Sequence, residues 1–491
     1  MRKKLHTLLN TSGENLSQKA LISGFWVFSL RIGQQAFRFA RLVILARILV
    51  PGDFGLMGIA LLTLATLETF SQTGFKPALV QKKENIGPYL DTTWTFLILR
   101  GLALFAILWV IAPYVAVFFG VPEAEPIVQV IGLSAVFQAF TNIGTVYFQK
   151  ELEFKRQFAF QFVGTIIEFV ATVAAAIILQ NVWALVIGLL AGSAVTMVAS
   201  YLVHPYRPKF RLDVTKAREL SGFGKWVFGS TVLIFLITQG DDILVGKVLG
   251  VTALGLYQLA YRFSNMPATE ITHVISQVSF PVYAKLQDTI PKLREAYFTT
   301  LKVTMFLSVP IAGFIFLLGP AFTILFLGEK WADMIPVLQL LAVYGLVRSF
   351  GATTGPIFQG VFKPHILTRL AFLQLVLMAV IIYPLTVYYG LIGTTVAIIL
   401  PNLVTQILAA VAVAEILEAG LAQFQSSMLP ATLSTVSTLL VMGLLMQFVA
   451  INSIPIFLAV AIAGCIVYLI ADRLIEGKST SALKMVMHII D

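Results

Sequence analysis

The chain has 491 residues, of which 34 are Lys or Arg and 24 are Asp or Glu, so 12% are charged where a soluble globular domain carries about 25%. Residues of the set AVILMFWYC make up 58% and the mean hydropathy is +0.89, which excludes a soluble enzyme and leaves a polytopic membrane protein. The net charge of +10 resides in short loops beside apolar stretches, which excludes a nucleic-acid footprint, and the single cysteine, Cys465, excludes an intramolecular disulfide or a Cys-based metal site.

In chain order, the apolar stretches between polar breaks predict about fourteen spanning helices, each near the roughly 20 residues that a hydrocarbon core needs. They fall near residues 20–47, 54–76, 92–118, 126–148, 158–180, 182–203, 225–248, 253–283, 298–320, 334–361, 366–388, 391–414, 428–450 and 455–472. Turn residues such as Pro51-Gly52-Asp53, Gly87-Pro88, Gly319-Pro320, Pro364 and Gly390 mark the breaks. The first stretch carries Arg31, Arg38 and Arg41 and does not read as a cleaved signal peptide. The expected fold class is an all-α polytopic membrane protein with two pseudo-symmetric six-helix bundles and two further C-terminal helices.

Sorted by alternate loops, 25 basic residues fall on one side and only Arg47, Lys247 and Lys330 on the other. That asymmetry puts both termini on the cytoplasmic side. Residues 45–60 (LARILVPGDFGLMGIA) also align with 245–260 (VGKVLGVTALGLYQLA), pairing Arg47 with Lys247, Leu49 with Leu249 and Gly55-Leu56 with Gly255-Leu256. Two parallel halves with a site between them form a transporter plan. The expected division is an N-terminal bundle over 1–203, a basic cytoplasmic linker over 204–224, a second bundle over 225–415, and two added helices with a cytoplasmic tail over 416–491.

Six basic residues, Arg31, Arg38, Arg41, Arg100, Arg262 and Arg348, fall inside apolar spans, where each costs at least roughly 2.5 kcal/mol unless it meets a polar cavity or a partner. Arg31, Gln34, Arg38 and Arg41 recur on one helical face, and Arg262 opens a second such face with Asn265, Thr269, His273 and Ser276. A guanidinium fork suits phosphate oxygens, so Arg31, Arg38, Arg262, Arg348 and Arg100 are the candidate binders of an anionic, phosphate-bearing substrate. The other reading is a structural network with the intramembrane acids Glu68, Glu168, Asp241, Asp242 and Glu270. Glu168, between Thr165 and Thr172 on one face, and the Asp241-Asp242 pair beside Gln239 also have two readings: a Na⁺ or H⁺ coupling site, or a partner for Arg in the first case and a hydrated, inert pair in the second.

No GxxxxGK[ST], HExxH or GxSxG motif is present, and His6, His204, His273, His365 and His488 do not cluster. No cofactor, metal or catalytic residue is expected. Transport energy would come from an ion gradient, the membrane potential, or substrate supply and removal.

Several strings now acquire meaning together: Leu45–Leu56 (LARILVPGDFGL), Gln149–Phe154 (QKELEF), Ala253–Pro267 (ALGLYQLAYRFSNMP), Phe280–Asp288 (FPVYAKLQD), Leu327–Trp331 (LGEKW) and Ile335–Ser349 (IPVLQLLAVYGLVRS). In this order they resemble the polysaccharide transporter family of lipid-linked oligosaccharide flippases, in its colanic acid exporter-like branch. That family sits in the multidrug/oligosaccharidyl-lipid/polysaccharide exporter superfamily. The resemblance covers about residues 20–415. It implies a V-shaped cavity between two bundles and alternating access. It also implies transfer of an undecaprenyl-pyrophosphate-linked oligosaccharide from the cytoplasmic to the periplasmic leaflet of a bacterial inner membrane, alongside polysaccharide assembly machinery. Cationic residues are implied in the cavity, and Arg31, Arg38, Arg262 and Arg348 fit. A cation-coupled multidrug exporter of the same superfamily would favour acids over arginines. A membrane polymerase or ligase of lipid-linked glycans would need a large outer loop, and the longest here, near Gly319–Asp333, has about a dozen residues.

Overall fold

Inside a bilayer no water pairs with exposed backbone N–H and C=O groups, so a single chain this apolar folds as helices. The computed structural model describes residues 33–82, 84–151 and 153–480, and among the described residues there is no strand. The protein is an all-α polytopic membrane protein. Its first half holds α1 (33–48), α2 (Pro51–Phe70), α3 (Phe75–Gln81), α4 (Gly87–Phe119), α5 (Ala124–Ala139), α6 (Val146–Lys150), α7 (Phe154–Leu179) and α8 (Trp183–Val203). The second half holds α9 (Val214–Val248), α10 (Val251–Leu286), α11 (Ile290–Phe322), α12 (Ile335–Gly360), α13 (Pro364–Leu417), α14 (Leu421–Phe448) and α15 (Ile454–Thr480).

Among the described residues nine helical segments are long and apolar enough to cross a membrane, or ten if α5 and the bent stretch Ile143–Lys150, which meet at 66°, form one span. That number falls short of the fourteen expected. The expected span 20–47 lies partly outside the described residues, as do the side chains of 220–230 on α9, and α10 carries Arg262 and Glu270. The two spans expected over 366–388 and 391–414 form one helical stretch, α13, broken at Gly390. There φ is 58° and ψ is −140°, a conformation open to glycine because it lacks a Cβ.

The internal repeat has a structural counterpart in each half. α1 ends at residue 48 and α2 begins at Pro51; α9 ends at Val248 and α10 begins at Val251. In both, the amide two residues before the restart closes the outgoing helix, Leu49 N on Leu45 O at 2.7 Å and Leu249 N on Val245 O at 2.9 Å. The first junction is set by Pro51 at the first helical position, where a missing N–H costs nothing, and the second by Gly250 at φ 89°.

Contacts divide the chain into two compact units, Met1–Phe235 and Leu236–Asp491. In the first, α2, α4, α5 and α8 share an apolar core around Leu64, Leu108, Ile131 and Val186, while α7 packs closely on α8 because Gly164, Gly188 and Gly192 leave no Cβ between them. In the second, α10 to α14 close around Tyr283, Tyr297, Ile357, Val413 and Phe424. The last helix, α15, is tied to α11 by the Tyr468 hydroxyl donating to Phe306 O at 2.8 Å and by a Lys302–Glu476 ion pair at 2.9 Å.

Candidate functional site

In the second unit, three helices bring opposed charges together. α9 carries Asp241 and Asp242 near its end, and the next helix presents Tyr257 and Gln258 one turn above Tyr261 and Arg262. The Tyr257 hydroxyl donates to Asp241 Oδ2 at 2.6 Å, and Gln258 Nε2 donates to Asp242 Oδ2 at 3.1 Å. Spacing of four residues puts each pair on one helical face, so the Tyr257/Tyr261 stripe lies over the first aspartate and the Gln258/Arg262 stripe over the second.

Arg262 lies within Coulombic range of Asp242, and Arg348 of α12 lies within Coulombic range of Tyr261 and Tyr344. The Tyr261 and Tyr344 rings stand 6.1 Å apart. Asp241 is only 3% exposed, and its Oδ1 is buried without a hydrogen-bond partner among the described residues. Arg262 is exposed and Arg348 is half-buried. Asp241, Asp242, Arg262 and Arg348, proposed separately from sequence, are therefore one cluster. Composition alone missed the tyrosines and Gln258, although the repeated four-residue spacing of Tyr257, Tyr261 and of Gln258, Arg262 was a readable signal.

Farther along the same face of α10, Asn265 is buried against Ser264 and Ser276 donates to Ala352 O at 3.0 Å. Thr269 is exposed, and the His273 side chain lies outside the described residues.

In the first unit the candidates separate. Arg31 lies outside the described residues, and Arg38 is exposed on α1. Arg41 is ion-paired with Glu168, and Gln34, two turns earlier, donates to Thr165 Oγ1 at 3.3 Å. The α1 face that carries Gln34 and Arg41 is thus satisfied by α7, and Glu168 serves as the partner of an arginine rather than standing open to a cation. A Cβ on Gly192 would lie 2.6 Å from Glu168 Cβ, so the carboxylate stem is also wedged against α8.

Arg100, a candidate substrate ligand by sequence, is engaged by the end of α2. Its Nε donates to Ser71 O at 2.9 Å and to Ser71 Oγ at 3.0 Å, and Nη2 donates to Glu68 O at 2.9 Å. Two of the three acceptors are carbonyls at the C-terminal end of α2, which has no basic residue in its last turn, and Glu68 O also accepts from Ser71 Oγ at 3.3 Å. The guanidinium on α4 supplies the donors and complements the negative helix end.

The fold and this cluster define a multi-pass membrane protein that holds two carboxylates and two guanidinium groups inside one helical unit. Residues 44–336 match the family described as polysaccharide biosynthesis protein, and the chain belongs to that family. It is 28% identical over 317 residues to the lipopolysaccharide biosynthesis protein WzxC of Escherichia coli (strain K12), a match spanning 64% of each chain. It is 26% identical over 344 residues to the succinoglycan biosynthesis transport protein ExoT of Rhizobium meliloti (strain 1021), covering 70% of this chain and 69% of that one. Its fold resembles that of the lipid II flippase MurJ in an inward closed conformation, with a TM-score of 0.71 at 17% identity over 92% of this chain and 98% of that one.

Proposed function

We propose that the protein flips an undecaprenyl-pyrophosphate-linked oligosaccharide from the cytoplasmic to the periplasmic leaflet of a bacterial inner membrane, for surface polysaccharide or exopolysaccharide synthesis. The observation that carries this reading is the clustering of Arg262 and Arg348 in one unit of a chain related to a succinoglycan biosynthesis transport protein. Guanidinium groups grip phosphate bidentately, and in this reading Arg38 and Arg31 also bind the anionic head group. Arg100 enters only indirectly, by fixing the end of α2. The head group is held on the arginines while the isoprenoid tail stays in the lipid, and alternating access releases it on the far side.

Coupling to Na⁺ or H⁺ is assigned in this reading to Asp241 and Asp242. Two carboxylates on adjacent residues repel one another in a low dielectric, so occupancy by a cation or proton lowers the energy of the pair. It also weakens the hold of Asp242 on Arg262. That leaves the guanidinium available to the diphosphate, so cation and substrate favour each other through one residue.

The test is leaflet sidedness. In a strain lacking the protein, the lipid-linked oligosaccharide is intact but closed to a periplasmic lectin or glycosidase; the wild-type chain restores access, and Arg262→Ala or Arg348→Ala, expressed at equal level, does not. Precursor that is already accessible without the protein and merely fails to polymerise would move the function to a step after translocation.

A further inference from the structure

Between α8 and α9 the chain forms no helix over residues 204–213, yet it is firmly held against α4. The Tyr206 hydroxyl and Lys209 N both donate to Asp91 Oδ1, at 2.6 and 2.9 Å, Arg211 N donates to Thr95 Oγ1 at 3.0 Å and Asp213 N to Thr92 Oγ1 at 3.3 Å. Asn142 Nδ2 donates to Tyr206 O at 2.8 Å, and the Phe210 ring rests 4.9 Å from that of Trp94. At the start, His204 lies against Tyr147 and Phe148. Its Nδ1 accepts from Tyr206 N at 3.1 Å, and burial, reinforced by nearby Arg156, holds the imidazole below its usual range.

The anchors are main-chain amides, the Asn142 amide and aromatic side chains, so the cationic side chains are left outward. Arg207, Lys209 and Arg211 are exposed, although Arg207 Nη1 also donates to the carbonyls of His204 and Tyr206. Interleaved with them, Phe210 is 70%, Leu212 52% and Val214 71% exposed. The strap begins one residue after α8, an apolar span, so it lies at the level of a membrane surface. Three large apolar side chains beside three cations suit the headgroup boundary, where apolar groups enter the upper acyl region and cations meet phosphate.

We propose that residues 207–214 form a preformed binding surface for the headgroup phosphates of anionic phospholipids. Arg207, Lys209 and Arg211 take the phosphates, and Phe210, Leu212 and Val214 insert beside them. Because the backbone is already fixed, binding carries little ordering cost, and each cation near an anionic surface enriches such lipid about fivefold. The surface belongs to the first unit alone and does not depend on what the protein transports.

A fluorophore on Thr215→Cys in a Cys465→Ser background, which leaves a single thiol, reports the lipid next to the strap. The full chain is reconstituted in vesicles of equal phosphatidylglycerol and phosphatidylcholine, with either lipid carrying a nitroxide quencher. The expected result is quenching at least about fivefold stronger from labelled phosphatidylglycerol at low salt, falling toward equality at high salt and in Lys209→Gln/Arg211→Gln, whose substitutions leave the backbone anchors untouched. Equal quenching by both lipids, or a preference unchanged in the double variant, would overturn the proposal. So would a fluorophore that neither lipid reaches and that aqueous iodide quenches freely, which would point to a soluble acidic partner.

Discussion

The Arg41–Glu168 pair joins α1 to α7 within the membrane, and its side chains are 20% and 26% exposed. Replacing Glu168 by Gln keeps the volume but leaves a guanidinium without its counter-charge. For a fully buried pair that costs about 3–5 kcal/mol, and the residual exposure here reduces the figure to about 2 kcal/mol. In a unit of this size such a loss lowers the unfolding midpoint by about 5 °C. Removing both charges, Arg41→Met with Glu168→Met, should recover most of it, since an apolar replacement of a buried ion pair is often neutral. Thermal unfolding of the purified chain in one detergent, compared across wild type, both single variants and the double, reads out the cycle. The pair has no structural role if Glu168→Gln unfolds with the wild type and the double variant shows no recovery. Transport in Glu168→Gln under an imposed Na⁺ or H⁺ gradient separates stability from coupling, with the gradient response retained in whatever protein remains folded.

Other consequences are equally concrete. Arg100→Met, which removes three hydrogen bonds from the end of α2, should destabilise by about 2 kcal/mol, and Arg100→Lys should restore only part of it; unfolding curves matching the wild type would remove the capping argument. Gly144→Ala should loosen the strap, because the new methyl group would meet His204 and come 2.9 Å from Tyr206 Cβ, which hydrogen exchange over 204–213 would detect as faster opening. His204 favours its neutral form in the folded chain, so it contributes stability above its unfolded pKa of about 6.5 that is lost as pH falls toward the lower folded value. Exchange in the strap, corrected for the intrinsic rate, should therefore rise on acidification below about pH 6.5 and lose this dependence in His204→Phe. The Glu219 carboxyl is held below its usual range by hydrogen bonds from Lys82 and then Tyr89. Its contribution should persist above about pH 4.3 and disappear as pH falls through the folded value, read as increased exchange at the start of α9.

Helix existence was legible because apolar runs of near-membrane length admit almost no other structure, and the break before Pro51 was legible because proline cannot continue a helix from its preceding residue without losing a bond. The long α13 was readable as two spans only through Gly390. The pairing of charges was not legible, because it depends on which helices become neighbours. Arg41 and Glu168 are 127 residues apart and Arg100 and Ser71 are 29 apart, and nothing in either local pattern names the other. Periodicity put Arg31, Gln34, Arg38 and Arg41 on one face, but contacts divide the described part of that face: Gln34 and Arg41 turn to α7, whereas Arg38 is exposed.

The repeat then explains why the two halves differ in charge. At an offset of 200 residues the helix junctions coincide, so Arg41 in the first half corresponds to Asp241 in the second. Each stands four residues before the closing carbonyl position, Leu45 or Val245. In the first half the position holds a cation that a carboxylate on α7 neutralises, and the result is a closed structural pair. In the second half the same position holds an anion followed by another, and the groups that reach them are a neutral hydroxyl from Tyr257 and a neutral amide from Gln258, with Arg262 within Coulombic range of Asp242. A neutral donor stabilises a carboxylate by about 1.5–3 kcal/mol, less than the several kcal/mol that desolvating the charge costs. Under the proposed function, the second copy is the half in which a transported cation or substrate compensates the charge. An Asp241→Asn/Asp242→Asn chain tests this directly. It should gain thermal stability in the absence of substrate, because two adjacent, mutually repelling carboxylates are gone, and lose any dependence of its unfolding midpoint on Na⁺. A double variant less stable than the wild type would mean that the pair is already neutralised within its own unit.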